Sequence, residues 1–255
     1  MHFVPMLLQG VSSSDTEKQR LSALRPYQAM VQSRQQVYQE VARLTAKIFL
    51  APTVLLSLVD ADDVIHAGTT GLPNLAASLP REECICATAV YQPGTTVLPD
   101  LQLFPCSWVR PELLAERGVR AYAGHPLQTV AGQPIGVLCL IDQKARAFSA
   151  EDQLELQRLA AVSMRILDLQ LALEHEPEQG PAVWQAIHHR IALSIQRIGT
   201  LTALSQWEAS PETPAARSYR TSMHEERLLI TQEIDREISI AFAQLNTGSA
   251  RMGVA

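Results

Sequence analysis

The chain has 255 residues, 47% of them hydrophobic and 18% charged, with a formal net charge of −5. That balance, without an arginine or lysine cluster, lacks the electrostatic footprint of a nucleic-acid binder, so no nucleic-acid partner is expected. No apolar run reaches the roughly 20 residues that span a bilayer, and no basic segment precedes the apolar N-terminal stretch, so a cytoplasmic protein without membrane contact is expected.

In chain order, residues 1–19 read as a polar tail with the loop signal SSSD. Val37, Val41, Leu44 and Ile48 then recur at three- and four-residue steps, the period of an amphipathic helix. Pro26 should break or kink that region, so two helices are expected. PTVLLSLVD, residues 52–60, reads as a buried strand that ends in the turn DADD, and VIHAGTTGL reads as the returning strand. LPREECICATAV predicts a short helix, TTVLPD a short strand, and VRPELLAERG a short helix stopped by Gly118. VRAYAGHPLQTVAGQPIGVLCLID predicts two strands around an AGQP turn.

The clearest helix follows, with Ser149 as N-cap and Asp152 at the capping-box position. Its residues Leu159, Val162, Ile166, Leu169 and Leu173 step by three and four, a seam suited to pairing with another helix. EHEPEQGP, residues 174–181, marks a domain boundary. Beyond it come two long helical patterns, one carrying Trp184, Ile187, Ile191, Ile198, Leu201 and Ser205, the other Tyr219, Met223, Ile230, Ile234, Ile238, Phe242 and Leu245. A hairpin of two helices buries little surface alone, so it is expected to pair into a four-helix bundle across a homodimer. Residues 247–255 read as a disordered tail.

The stretches LTAKIFLAPTVLLSLVD, GLPNLAASLPREECICATAV, VRAYAGHPL and GQPIGVLCLIDQKARAFSAED resemble, in order, the GAF family of sensory domains. The resemblance implies an α+β fold over residues 20–175, with helices on one face of an antiparallel sheet and a small-ligand pocket on the other. A helical hairpin over 181–246 would complete the chain. The family's ligands include cyclic nucleotides, bilins and haem, and the cofactor here is left unnamed. Where relatives carry a histidine after the cysteine, this chain has Thr88, and Cys106 stands where relatives often have arginine. No cysteine adjoins a histidine, as bilin attachment needs. His66 and His125 are the histidines available to a haem iron. Cys84, Cys86 and Cys106 supply three zinc ligands only if their loop folds over. Candidate pocket residues are Cys84, Cys86, Thr88, Cys106, Tyr122 and His125. A competing resemblance, to the free methionine-R-sulfoxide reductases, would make Cys86 and Cys106 a redox pair.

The stretch IHHRIALSIQRI resembles the phosphoacceptor helix of histidine kinases, which would make His189, just before Arg190, the acceptor. The lysine and paired asparagines of that motif are replaced by Ala192, Leu193 and Ser194, and no nucleotide-binding domain is expected among these residues. The expectation is therefore a sensor without enzymatic activity, working through a kinase or response-regulator partner.

Overall fold

The computed structural model describes residues 14–31, 35–72, 74–173, 180–207 and 213–252. Six strands form one antiparallel sheet: β1 (Thr53–Val59), β2 (Asp63–Thr70), β3 (Ser78–Pro80), β4 (Thr96–Leu98), β5 (Ala121–Gln128) and β6 (Pro134–Asp142). Their order is β3-β2-β1-β6-β5-β4, so β1 and β6 lie at the centre. Among the described residues seven α-helices accompany the sheet: α1 (Ser14–Val31), α2 (Gln35–Phe49), α3 (Cys86–Ala89), α4 (Pro111–Glu116), α5 (Ala150–Leu173), α6 (Gly180–Trp207) and α7 (Pro214–Met252).

The central strand explains why the sheet supports two cores. Successive side chains of a strand point to opposite faces. Val54, Leu56 and Leu58 of β1 belong to a large core under the long helices, whereas Leu55 and Val59 belong to a smaller core on the other face. All seven residues of β1 are buried, which is why the strand reads as an unbroken apolar run rather than an alternation.

On the helix face, α2 lies over β1 and β2, and α5 lies over β5 and β6. The predicted cap of α5 is present. The Asp152 carboxylate accepts from the Ser149 N–H and hydroxyl, each at 3.0 Å, while the Asp152 N–H donates to the Ser149 hydroxyl at 3.1 Å. That reciprocal pairing satisfies donors that a helix start leaves open. The five seam residues of α5 are all buried, with β5 and α7 as the helix's main neighbours.

The C-terminal hairpin packs on these helices. α6 lies against α2 and α7 against α5. Ile187, Ile191 and Ile198 of α6 and Ile230, Ile234 and Ile238 of α7 are at most 1% exposed, inside the same core as α2 and α5. Polar contacts flank that core. His188 Nδ1 meets the Glu40 carboxylate at 2.6 Å, and the Thr231 hydroxyl donates to buried Glu155 at 3.0 Å. Arg165 pairs with Asp235. The hairpin's apolar stripe is thus covered within one chain, and its need for burial does not require a second copy.

Three expectations are corrected here. The tail drawn over 1–19 is helical from Ser14, where Asp15 and Glu17 in the first turn complement the helix N-terminus. Residues 1–13 lie outside the described residues. α1 runs through Pro26 instead of ending there; Pro26 and Ser22, whose carbonyl loses its amide partner, are both exposed to water. α1 and α2 are the two helices expected here, and residues 32–34 between them lie outside the described residues. α7 continues to Met252, into the stretch read as a disordered tail. The boundary segment 174–179 and residues 253–255 lie outside the described residues.

Candidate functional site

On the sheet face away from the long helices lies a cavity of about 550 Å³. Leu55 of β1, His66 of β2, Tyr122 of β5 and Ile141 of β6 form its floor. Leu72, Leu75 and Leu79 close one side, Cys84, Ile85 and Cys86 another, and Leu114, Arg117 and Val119 a third. Exposed Asn74, Ala76 and Glu116 mark its mouth. The walls are mostly apolar, with few polar groups, as small-molecule sites usually are.

His66 is the polar centre of the floor. Strand register sets it opposite Ser57, next to an irregularity between Leu56 and Ser57. Its Nδ1 meets the Ser57 hydroxyl at 3.0 Å. Its Nε2 is buried and has no hydrogen-bond partner among the described residues, and the residue is only 7% exposed. Burial, reinforced by the nearby Arg117 charge, pushes its pKa down to about 4, so the ring is neutral at physiological pH. Arg117 itself donates to the Glu83 carbonyl at 3.0 Å and pairs with the Glu83 carboxylate, tying the exit of α4 to the segment before α3. α4 ends as predicted, since Gly118 holds a left-handed φ of +68°.

Tyr122 is 1% exposed, and its hydroxyl lies 3.4 Å from the Cys86 sulfur. Gly124 makes room for it: a Cβ there would come within 2.3 Å of the Tyr122 hydroxyl. Burial pushes Tyr122 well above the usual phenol range. The Cys84 thiol is pushed up to about 12, chiefly by burial.

Of the residues singled out from sequence, the cavity brings together Cys84, Cys86 and Tyr122. Thr88 is half-buried in α3 and lies outside this lining. His125 falls on the opposite sheet face, where its Nδ1 meets the Thr95 hydroxyl at 2.9 Å and Thr95 in turn reaches the Gln153 carbonyl. Strand alternation is the reason, since Tyr122 and His125 are an odd number of residues apart. Cys106 lines a separate cavity of about 540 Å³ with Trp108 and Thr96, and its sulfur accepts the Trp108 N–H at 3.4 Å. Cys86 and Cys106 therefore face different cavities, and the pairing drawn from the reductase resemblance is not formed. The same separation removes Cys106 from a zinc set with Cys84 and Cys86, and among the described residues no cluster of three metal-ligating side chains occurs. His189 is exposed on α6, while its neighbour Arg190 is engaged by Glu237 at 2.8 Å and Glu233 at 3.5 Å on α7. Among the described residues no helix is long and apolar enough to cross a membrane.

A six-stranded antiparallel sheet with helices on one face and a small-molecule cavity on the other defines a class of sensory ligand-binding domains. The chain belongs to the GAF domain family, whose model matches residues 33–166. A curated protein of Pseudomonas aeruginosa, named Cyclic di-GMP phosphodiesterase PA2567, is 29% identical over 172 residues, covering 67% of this chain and 29% of its own length. The chain thus spans less than a third of that relative. Its name is that of an enzyme, which points to possible enzymatic activity and corrects the expectation of a sensor without any. Among solved structures, the PixJ GAF domain of Thermosynechococcus elongatus is 16% identical, over 63% of this chain and 96% of that one, with a TM-score of 0.46. The free methionine-R-sulfoxide reductase of Neisseria meningitidis is 23% identical, over 63% and 92%, with a TM-score of 0.43. Likenesses at these levels carry no statement about ligand or reaction.

Proposed function

We propose that the chain is a sensor in which a small molecule, taken up by the cavity above β1, β2, β5 and β6, alters how the α6–α7 hairpin docks on α2 and α5. The observation that carries this reading is His66 Nε2, a buried polar atom with no partner among the described residues, on the floor of a cavity of about 550 Å³. An unpaired buried polar group costs about 1–3 kcal/mol, which a ligand's polar group recovers on binding. The neutral ring and apolar walls favour a largely apolar ligand with one polar group placed at Nε2. A haem iron would use the same nitrogen, and a visible absorption spectrum separates that case from an organic ligand.

Transmission to the hairpin is supported by a chain of contacts. The cavity wall at Cys84–Cys86 lies between Arg81 and Tyr91, which reach Glu17 of α1 at 3.2 and 2.8 Å. Tyr27 of α1 donates to Asp168 of α5 at 2.8 Å, and Glu155 of α5 accepts from Thr231 of α7. The output side of the proposal is the hairpin, with a homodimer, docking of a kinase or response regulator, and phosphoryl transfer to His189 as its forms. Phosphate incorporation that survives His188→Ala and disappears in His189→Ala is the expected result for the last of these. The sensing reading is tested by a thermal-shift screen of a metabolite library against the wild type and His66→Phe. Compounds that raise the wild-type Tm and leave the variant unmoved are expected, and they should change hydrogen exchange in α6 and α7. A screen in which both proteins respond alike contradicts the reading.

A second reading comes from the Pseudomonas relative. On it, the chain takes part in cyclic di-GMP turnover, either as the sensory part of that process or with hydrolytic activity of its own. Incubation of the chain with cyclic di-GMP, followed by chromatography for the ring-opened product, separates these two roles.

A further inference from the structure

The cavity wall at Cys86 holds a feature that the ligand proposal does not use. Cys86, at the start of α3, and Cys139, on β6, place their sulfurs 3.5 Å apart although 53 residues separate them in sequence. Both are buried, at 4% and 0% exposure, yet Cys86 lines the cavity and is reached through it. The Cys139 thiol, the Tyr122 hydroxyl and the Ser57 hydroxyl converge on the Cys86 sulfur and, against the effect of burial, lower its pKa. Ser57 in turn meets His66 Nδ1, so the thiol stands at the end of a short polar chain. Cys84 and Cys106 are placed differently. Burial raises the pKa of both thiols, and Cys106 faces the other cavity.

We propose that Cys86 and Cys139 are a redox pair that a hydroperoxide entering the cavity converts to a disulfide. The proposal rests on the same cavity as the sensing reading but needs no bound ligand. In the first step the Cys86 sulfur attacks the terminal oxygen of ROOH. The O–O bond breaks, the alcohol ROH leaves carrying the thiol proton, and Cys86 becomes a sulfenic acid. In the second step the Cys139 sulfur attacks the Cys86 sulfur. The S–O bond breaks and the hydroxyl leaves as water with the Cys139 proton. The two thiols lose two electrons and two hydrogens, and the hydroperoxide is reduced to an alcohol and water. A disulfide holds its sulfurs about 2.05 Å apart, so an approach of about 1.5 Å completes the bond. The new link ties α3 to β6 and draws the Cys86 wall onto the cavity floor.

The test uses the full reduced chain, treated with hydrogen peroxide and separately with cumene hydroperoxide. Remaining thiols are alkylated and the protein is digested without reductant for mass spectrometry. The expected result is a linked Cys86–Cys139 peptide that thiol reductant separates, with Cys84 and Cys106 still alkylated. A dimedone adduct on Cys86 in Cys139→Ser would identify the sulfenic acid, while the wild-type map stays decisive if that variant does not fold. A disulfide between any other pair, or four alkylated cysteines after treatment, overturns the proposal. Failure of the ligand screen leaves this map unchanged, so the two readings fail separately.

Discussion

Neutral His66 makes stability depend on pH in a defined window. The ring titrates at about 4 in the folded chain, against 6.5 for an unperturbed histidine. Between those values the unfolded chain binds more protons than the folded one, so stability falls as the pH drops through the window and is flat above it. The gap amounts to about 2 kcal/mol lost at pH 5 and about 3 kcal/mol once the pH is below 4. His66→Gln removes the titrating group while leaving the other acids in place. Urea unfolding at pH 7 and pH 5, at equal ionic strength and without ligand, should show the wild type losing about 2 kcal/mol more than the variant. Equal losses in the two proteins would refute the argument that His66 is held neutral by burial.

Other expectations follow from the packing. Ile191 on α6 is 0% exposed in the core that the hairpin shares with α2 and α5, so Ile191→Ala should cost about 2–5 kcal/mol in denaturant unfolding. No measurable loss would mean that the hairpin is not docked there. Gly124→Ala places a Cβ against the Tyr122 hydroxyl and should cost about 1–3 kcal/mol, with altered Tyr122 fluorescence as the local readout. Ser149→Ala removes the reciprocal cap of α5 and should cost about 1 kcal/mol, most of which Ser149→Asp restores. Glu17 is pushed up by burial, but hydrogen bonds from Arg20, Tyr91 and Arg81 outweigh that and hold its pKa at about 2. Its contribution is therefore present above about pH 4.5 and lost toward pH 2, and Glu17→Gln should flatten the acid limb of unfolding in that range.

Much of the fold is legible in the sequence because its signals are local. The run TVLLSLV, the cap at Ser149 and Asp152, and Gly118 after α4 each act within a few residues, and each appears where expected. The site was only partly legible, because a cavity is made by segments distant in sequence. The motifs point to Cys84, Cys86 and Tyr122, which line the cavity, whereas strand parity sets His125 on the opposite sheet face. His66 carries a signal that could have placed it. Ser57 and His66 are polar residues set in apolar strands and joined by a short turn, so a hairpin register brings them opposite each other. Arg117 and Glu83 could not be paired from sequence, since their contact depends on how α4 folds over the segment before α3. The hairpin's isoleucine periodicity marks a buried face, but periodicity says nothing of what covers it, and here α2 and α5 do.

The most direct test of the account is a native mass spectrum of the full chain after incubation with a pool of small metabolites, recorded for the wild type and for His66→Phe. The account predicts one small-molecule adduct on the wild type, absent from the variant, with both proteins folded by circular dichroism. An adduct of the same mass on both proteins, or none on either, contradicts the claim that the unpartnered nitrogen of His66 marks the sensing site.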